Sequence, residues 1–498
     1  MTRRKGGVDC RAAFRQCAAQ QKQLETMRRL NRRSFISASA AVLARPAVGA
    51  VAPATAVDVA IIGAGAAGIA ATRRIAAAGR KVVLLEASDR VGGRCVTDTI
   101  SFGLPYDRGA HWIHTPDVMP RSSVEIYYAA PSQKVRYGRR YAREGELEDF
   151  LVLQARTTRA IADAARKGDV ACEQALPKDL ADWRPAIEFV LGPFVCGKEL
   201  AQVSAVDFAR SAGRSSDAFC RQGFGALVAA LAQGLPIELL TPATAIDTRR
   251  GVTVDTPKGS VSARAAIVTA STNVLASGNI KFTPDPLRRQ LDACVKLSLG
   301  SYDHVALEIT GNALELDSDD LVFEKATGER TAALLGNVSG TPLCLVEIAG
   351  TFGRDLSAQG QAAMVDFAAE WLAGLYGADV KKAIKRSHAT QWNRQPFALG
   401  AFSAAAPGGQ SARRVLMEPV DNVLWFAGEA VHETLWGTVG GAWVSGERAA
   451  DAVLRRFSGK TPAAEVEPPP KLPPKRESEE PSARRRLEGP RGSFSNDY

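Results

Sequence analysis

A glycine-rich turn at the end of an apolar strand constrains this chain more than any other feature. Val57-Asp58-Val59-Ala60-Ile61-Ile62 has the nearly continuous apolar character of a strand buried in a parallel sheet. It runs into Gly63-Ala64-Gly65-Ala66-Ala67-Gly68 and then an alanine-rich helical stretch to about Gly79. A second apolar strand, Lys81–Leu85, ends at Glu86, 23 residues after Gly63. In such a strand–turn–helix unit Gly63 serves the tight turn, Gly65 lets the backbone approach a pyrophosphate, and Gly68 lets helix and strand touch. An acid about 20 residues on receives a ribose hydroxyl. The helix start at Ala66 and Ala67 supplies amides and partial positive charge to the phosphates. The unit predicts an α/β fold with a Rossmann-like dinucleotide domain, and leaves flavin and nicotinamide dinucleotides unseparated.

The net charge of +10 suggests a polyanionic partner until its distribution is read. Residues 1–33 hold ten Lys and Arg against two acids, and the stretch from Lys460 holds eight bases against seven acids, which leaves the body close to neutral. A nucleic-acid surface needs a basic patch on a folded face, so no nucleic-acid partner is expected. Eight cysteines occur without a C-x-x-C pair, which excludes a disulfide framework and a zinc site; His111 and His114 alone make a poor metal site, and none is expected.

Asn31-Arg32-Arg33-Ser34-Phe35-Ile36, the weakly apolar Ser37–Ala44 and the small residues Ala47-Val48-Gly49-Ala50 read as a twin-arginine leader over residues 1–54. Met27 precedes the arginine pair closely and is an alternative start. The apolar stretch falls short of the ~20 residues a membrane span needs, so no stable span is expected. The twin-arginine route exports folded cargo, which suits a protein loaded with its cofactor before export, and a periplasmic location follows. Residues 459–498 are rich in Pro, Glu, Lys and Arg, and read as a disordered tail.

Glu86-Ala87-Ser88-Asp89-Arg90-Val91-Gly92-Gly93-Arg94 resembles the E-A-x-x-R-x-G-G-R signature of the flavin-containing amine oxidase family (monoamine and polyamine oxidase-like FAD oxidoreductases), here a bacterial exported form. Tyr106-Asp107-Arg108-Gly109-Ala110-His111-Trp112-Ile113-His114 is similar to the family's next flavin-facing segment, Thr241–Ile246 to the one whose backbone, around Ala243, meets the adenine, and Leu424-Trp425-Phe426-Ala427-Gly428-Glu429 with Gly437-Thr438-Val439-Gly440-Gly441 to its C-terminal cofactor motif. The resemblance implies FAD, with Gly93 and Arg94 along the diphosphate and flavin, Glu429 near the ribityl-phosphate, and the Val439 amide at the flavin's pyrimidine edge. It implies the fold of the p-hydroxybenzoate hydroxylase and amine oxidase type: FAD-binding pieces 55–114, 221–293 and 401–458, with residues 115–220 and 294–400 forming an inserted α+β substrate domain. The reaction it implies is oxidation of an amine by hydride transfer to flavin N5, the imine being hydrolysed in solution and the flavin reoxidised by O2 or a periplasmic electron acceptor; a homodimer is compatible with it.

Three departures from the resemblance bear on the substrate side. His304 stands where many members carry a lysine bridged through water to N5. Phe402 and Thr438 stand where two aromatics flank the substrate, so one wall loses its ring. Ala401 stands where some members carry the cysteine that bonds to FAD, so a non-covalent cofactor is expected. Trp392 and Trp436 are further candidates to line the substrate site. Two other readings stay open: an L-amino-acid oxidase, which would aim one of Arg136, Arg139, Arg140 or Arg394 at a carboxylate, and a non-catalytic flavin-binding structural or assembly protein.

Overall fold

The computed structural model describes residues 55–120, 122–128, 133–211, 218–284 and 287–459. The expected leader at 1–54 and all but the first residue of the expected tail lie outside them. The glycine unit folds as a strand–turn–helix: β1 is Thr55–Ile62, α1 is Ala66–Ala77 and β2 is Val82–Leu85. β1 runs parallel to β2 on one side and to Gly259–Val268 on the other, with Ile62 level with Leu85 and Val268. Alternate residues of a strand face opposite ways, and β1 shows it: Val59 and Ile61 enter the core under α1, while Ala60 and Ile62 enter the core on the opposite face. Burial on both faces is what a central parallel strand requires.

This sheet has eight strands, in the order Lys281–Thr283, Ala245–Asp247, Val252–Thr256, Gly259–Val268, β1, β2, Ile237–Glu238, with Leu424–Phe426 also paired to Gly259–Val268. One edge of Gly259–Val268 is therefore shared: its first half meets Val252–Thr256 antiparallel, and its last three residues meet Leu424–Phe426 in parallel. That arrangement brings the chain's C-terminal motif beside the N-terminal one. Helix α2, Val439–Phe457, then crosses α1 so closely that a Cβ on Gly446 would lie 2.1 Å from the Ala67 carbonyl oxygen.

A second sheet of seven strands runs Ile384–Ala389, β3 (Tyr302–Ile309), Leu343–Ala349, Ala333–Gly336, Asp320–Glu324, Gln133–Tyr137, Arg140–Tyr141. It joins chain from both insertions. Val305 and Leu307 of β3 pack on the helix Gln361–Tyr376 through Phe367, Ala368 and Leu372. The alternation therefore turns His304 and Ala306 to the opposite face. The first insertion forms the helix Glu144–Ala165 and a short helix, Arg184–Phe189, that widens into one turn over Val190–Phe194 around Pro193. Pro193 has no amide to continue the ladder, which accounts for the change. Among the described residues no helix is long and apolar enough to cross a membrane.

Candidate active site

One continuous cavity of about 1310 Å3 runs between the two sheets. It exceeds the roughly 300–1,000 Å3 of an ordinary small-molecule pocket, so it has room for a dinucleotide and a substrate together. Its nucleotide end is lined by Gly63, Gly65, Ala66 and Ala67, and by Glu86 and Ala87 at the end of β2. Gly65 caps α1 without a side-chain bond, and the first turn of α1 carries no acid, so the amides there remain open to an anion. A Cβ on Gly65 would meet no protein atom within 4 Å; that face is open space. Gly68 lies behind the cavity wall, where a Cβ would sit 1.9 Å from the Gly63 oxygen, so its role is the helix–strand contact. The Glu86 carboxylate is buried and accepts from the Ala64 amide at 2.6 Å and from the Ser88 amide and hydroxyl at 2.8 Å. The loop bearing Ala243 is tied alongside by Thr241 N–H to Glu86 O and Leu240 N–H to Ser88 O.

In the middle of the cavity, Gly93 lies against Gly65, and Arg94 reaches across to the C-terminal motif. Arg94 donates to Glu429 at 2.9 Å and to the Ala401 carbonyl at 2.6 Å. Glu429 also accepts from Ser403 Oγ at 2.7 Å and the Gly437 amide at 2.9 Å. Burial works against its ionisation, yet Arg94 and Ser403 outweigh burial and hold its carboxyl below the usual range. The Glu429 oxygens thus orient Arg94 and the Gly428–Gly437 backbone around the site.

The far end is built from the second sheet and the segment Gly109–His114. Ala110 N–H bonds the Arg94 carbonyl, which aligns Gly109, Ala110, His111 and Trp112 along the cavity. His304 lines it from β3; its ring bonds the Asp107 carbonyl and stands edge-on to His111 at 5.6 Å. Burial, with the charge of His111 behind it, pushes the His304 imidazole well below its ordinary value, so it is neutral. A neutral imidazole does not reproduce the lysine of the resemblance. Phe402 lines the opposite wall, and Trp392, anchored by its indole N–H to the Arg108 carbonyl at 2.9 Å, closes another side. Thr438 lines the cavity and caps α2, accepting from Gly441 N–H at 2.9 Å; Val439 follows it into the first turn and also lines the wall. A helix N-terminus at this place favours negative charge.

Trp436 is a correction. It is fully buried, does not line the cavity, donates its indole N–H to the Asp207 carbonyl at 3.1 Å and lies under the Arg413 guanidinium, 5.0 Å from the ring centre. It belongs to the protein core because its flat face shields a buried charge. None of the four arginines considered for a carboxylate lines the cavity. Arg136 donates to the Leu375 carbonyl between the Tyr141 and Tyr376 rings, Arg140 pairs with Glu146, and Arg139 and Arg394 are exposed. Cys95 touches the cavity, but burial pushes its thiol up to about 12, which leaves it protonated and a poor nucleophile.

Sequence reasoning missed Tyr302, Phe194 and Leu321 on the wall. Phe194, Tyr302 and Phe402 form a row of rings with centres 6.2 and 5.8 Å apart. Tyr302 was within reach of the period-two rule, being two residues before His304 on one strand. Phe194 was not, since it arrives from the other insertion.

The glycine cradle, the bare helix start and the size of the cavity fit a bound dinucleotide. The family model for "Flavin containing amine oxidoreductase" matches residues 66–127 and 171–454. Polyamine oxidase 4 of Oryza sativa subsp. japonica is 28% identical over 446 residues, covering 80% of this chain and 89% of that protein. The fold is similar to that of putrescine oxidase bound to putrescine (TM-score 0.69, 21% identity, 81% of this chain and 100% of that one). It is equally similar to cyclohexylamine oxidase from Brevibacterium oxydans IH-35A (TM-score 0.68, 21% identity, 81% and 99%).

Proposed function

Because the chain belongs to the family of flavin-containing amine oxidoreductases, we propose that it uses non-covalent FAD to oxidise a small-molecule amine in the far end of this cavity. The observation that carries the reading is the joining, in one cavity, of a glycine-lined dinucleotide cradle and an apolar pocket walled by aromatic rings. Bound FAD supplies the acceptor for the hydride next to nitrogen, so the amine becomes an imine that water hydrolyses to an aldehyde or ketone, and the electrons go on to O2 or a periplasmic acceptor. The protein's own part is binding and environment. Phe194, Tyr302, Phe402 and Leu321 exclude water, which disfavours a charged ammonium and lets the amine bind as the free base that oxidation needs. The start of α2 favours the negative charge of a reduced cofactor. Arg94, held by Glu429, is placed for the diphosphate. Because none of the arginines considered for a carboxylate lines the cavity, amines are favoured over L-amino acids.

Anaerobic addition of monoamines, cyclic amines, polyamines and L-amino acids tests this directly. At least one amine class should bleach the yellow flavin. Bleaching by amino acids alone would transfer the reading to amino-acid oxidation, and a flavin that no amine bleaches would leave a flavin-binding protein without this activity.

Export is a second part of the proposal, supported by the leader signature at Asn31–Ile36 and by a cavity between the two sheets that only the folded chain offers to a cofactor. Replacing both Arg32 and Arg33 by Lys should leave the flavoprotein in the cytoplasm on cell fractionation. Undiminished periplasmic flavoprotein from that variant would overturn it.

A further inference from the structure

A buried ion pair backs the far end of the cavity, and its orientation is fixed. His111 is on the cavity wall; its Nδ1 lies 3.2 Å from the Gly109 carbonyl oxygen and its Nε2 lies 2.8 Å from Glu347 Oε1. A carbonyl oxygen only accepts, so Nδ1 carries a proton. Nε2 faces a carboxylate, which likewise only accepts, so Nε2 carries a proton as well. Both ring nitrogens are then protonated, and His111 is an imidazolium. Burial opposes that charge, but Glu347 outweighs burial and raises the imidazole above its ordinary value.

Glu347 is completely buried and lies outside the cavity lining, directly across the ladder from His304. The cation is therefore on the cavity side and the carboxylate is behind it. A dinucleotide with its ribose at Glu86 and its phosphates at the start of α1 puts its redox half at this end. We propose that Glu347 is a positioning residue that keeps His111 doubly protonated, so that a fixed imidazolium in the cavity wall raises the electron affinity of the bound FAD. The proposal rests on the FAD reading above, but does not need an amine substrate.

The test is anaerobic reduction of the holoenzyme against a redox dye of similar potential, with flavin content and thermal midpoint recorded alongside. For His111→Gln, the equilibrium constant for flavin reduction should fall about tenfold, the size of one screened charge in a partly buried site. Glu347→Gln should produce a similar fall, because an imidazole buried without its counter-charge gives up its proton. The double variant should fall no further than either single one. Unchanged equilibria in both single variants would overturn the proposal; a fall with His111→Gln and none with Glu347→Gln would remove Glu347 from it. If the variants do not fold, 15N-histidine NMR of the unaltered holoenzyme decides. One imidazole should keep both nitrogens protonated at a pH where a free imidazole is neutral, and a spectrum of neutral rings alone would refute the charged pair. Each of these outcomes is independent of whether any amine bleaches the flavin.

Discussion

Gly68→Ala should yield a protein that purifies with little or no flavin. Its Cβ would fall 1.9 Å from the Gly63 carbonyl oxygen and 3.3 Å from Leu84 Cδ1, so either α1 or the turn must move. Neither is free to do so. Gly63 N–H is bonded to Leu85 O at 2.8 Å and Thr269 Oγ1 donates to Gly63 O at 2.9 Å, while α2 holds α1 from the other side at Gly446. Forcing a methyl into such a contact costs about 1–3 kcal/mol or more, and the displacement moves the very amides that face the phosphates. FAD affinity should fall about a hundredfold, which is ~3 kcal/mol, and the thermal midpoint should fall as well. Gly65→Ala is the control, because its Cβ meets no protein atom and enters the cavity instead. That variant should keep its stability and lose flavin alone. The ratio of flavin to protein absorbance, read with the melting curve, checks both; a Gly68→Ala protein with full flavin would show that the contact is not restrictive.

The second large effect is expected away from the cofactor. Arg413 and Asp207 are both fully buried and pair through two bonds of 2.7 Å. Arg413 also donates to the Ala430 carbonyl at 2.9 Å and to Ser403 Oγ at 3.2 Å, and Ser403 in turn donates to Glu429. The network thus runs from a helix of the first insertion, Ala205–Arg210, to the glutamate that orients Arg94. Asp207→Ala leaves a buried guanidinium without its counter-charge, and should destabilise the protein by about 3–5 kcal/mol. Replacing both partners together, Asp207→Leu with Arg413→Met, should restore much of that loss, since no unpaired charge is left. Denaturant unfolding of the two singles and the double measures it. A single variant with wild-type stability would mean that water or rearrangement compensates the charge. Flavin retention should decline with Asp207→Ala too, because Ser403 and Glu429 lose a fixed partner.

The nucleotide end was legible because its determinants are local. Gly63, Gly65, Gly68 and Glu86 act within one strand–turn–helix–strand unit, where spacing along the chain sets spacing in space. The C-terminal motif, Gly428–Glu429 and Thr438–Val439, was legible by resemblance, and the sheet brings it to the cavity through three paired residues at the end of Gly259–Val268. Strand Leu343–Ala349 and helix Gln361–Tyr376 were readable from apolar periodicity. Strands Gln133–Tyr137, Asp320–Glu324 and Ala333–Gly336 were not, since short runs carry little periodic signal, and the pairing of the first two joins segments nearly 200 residues apart.

By itself, the sequence determined that this chain makes a dinucleotide cradle, because glycine at a crowded turn and an acid at a strand end are requirements of local covalent geometry. It also placed His304, Phe402 and Trp392 among the candidates for the far wall. Only the tertiary structure decided what those candidates do. Trp436 went to the core to cover Arg413, and Glu429 became the holder of Arg94. A glutamate with no motif around it, Glu347, became the partner that charges His111. Burial decides each of these outcomes: a polar group away from water takes whatever partner the fold brings within about 3 Å, and that partner comes from a strand or helix whose position no local pattern encodes.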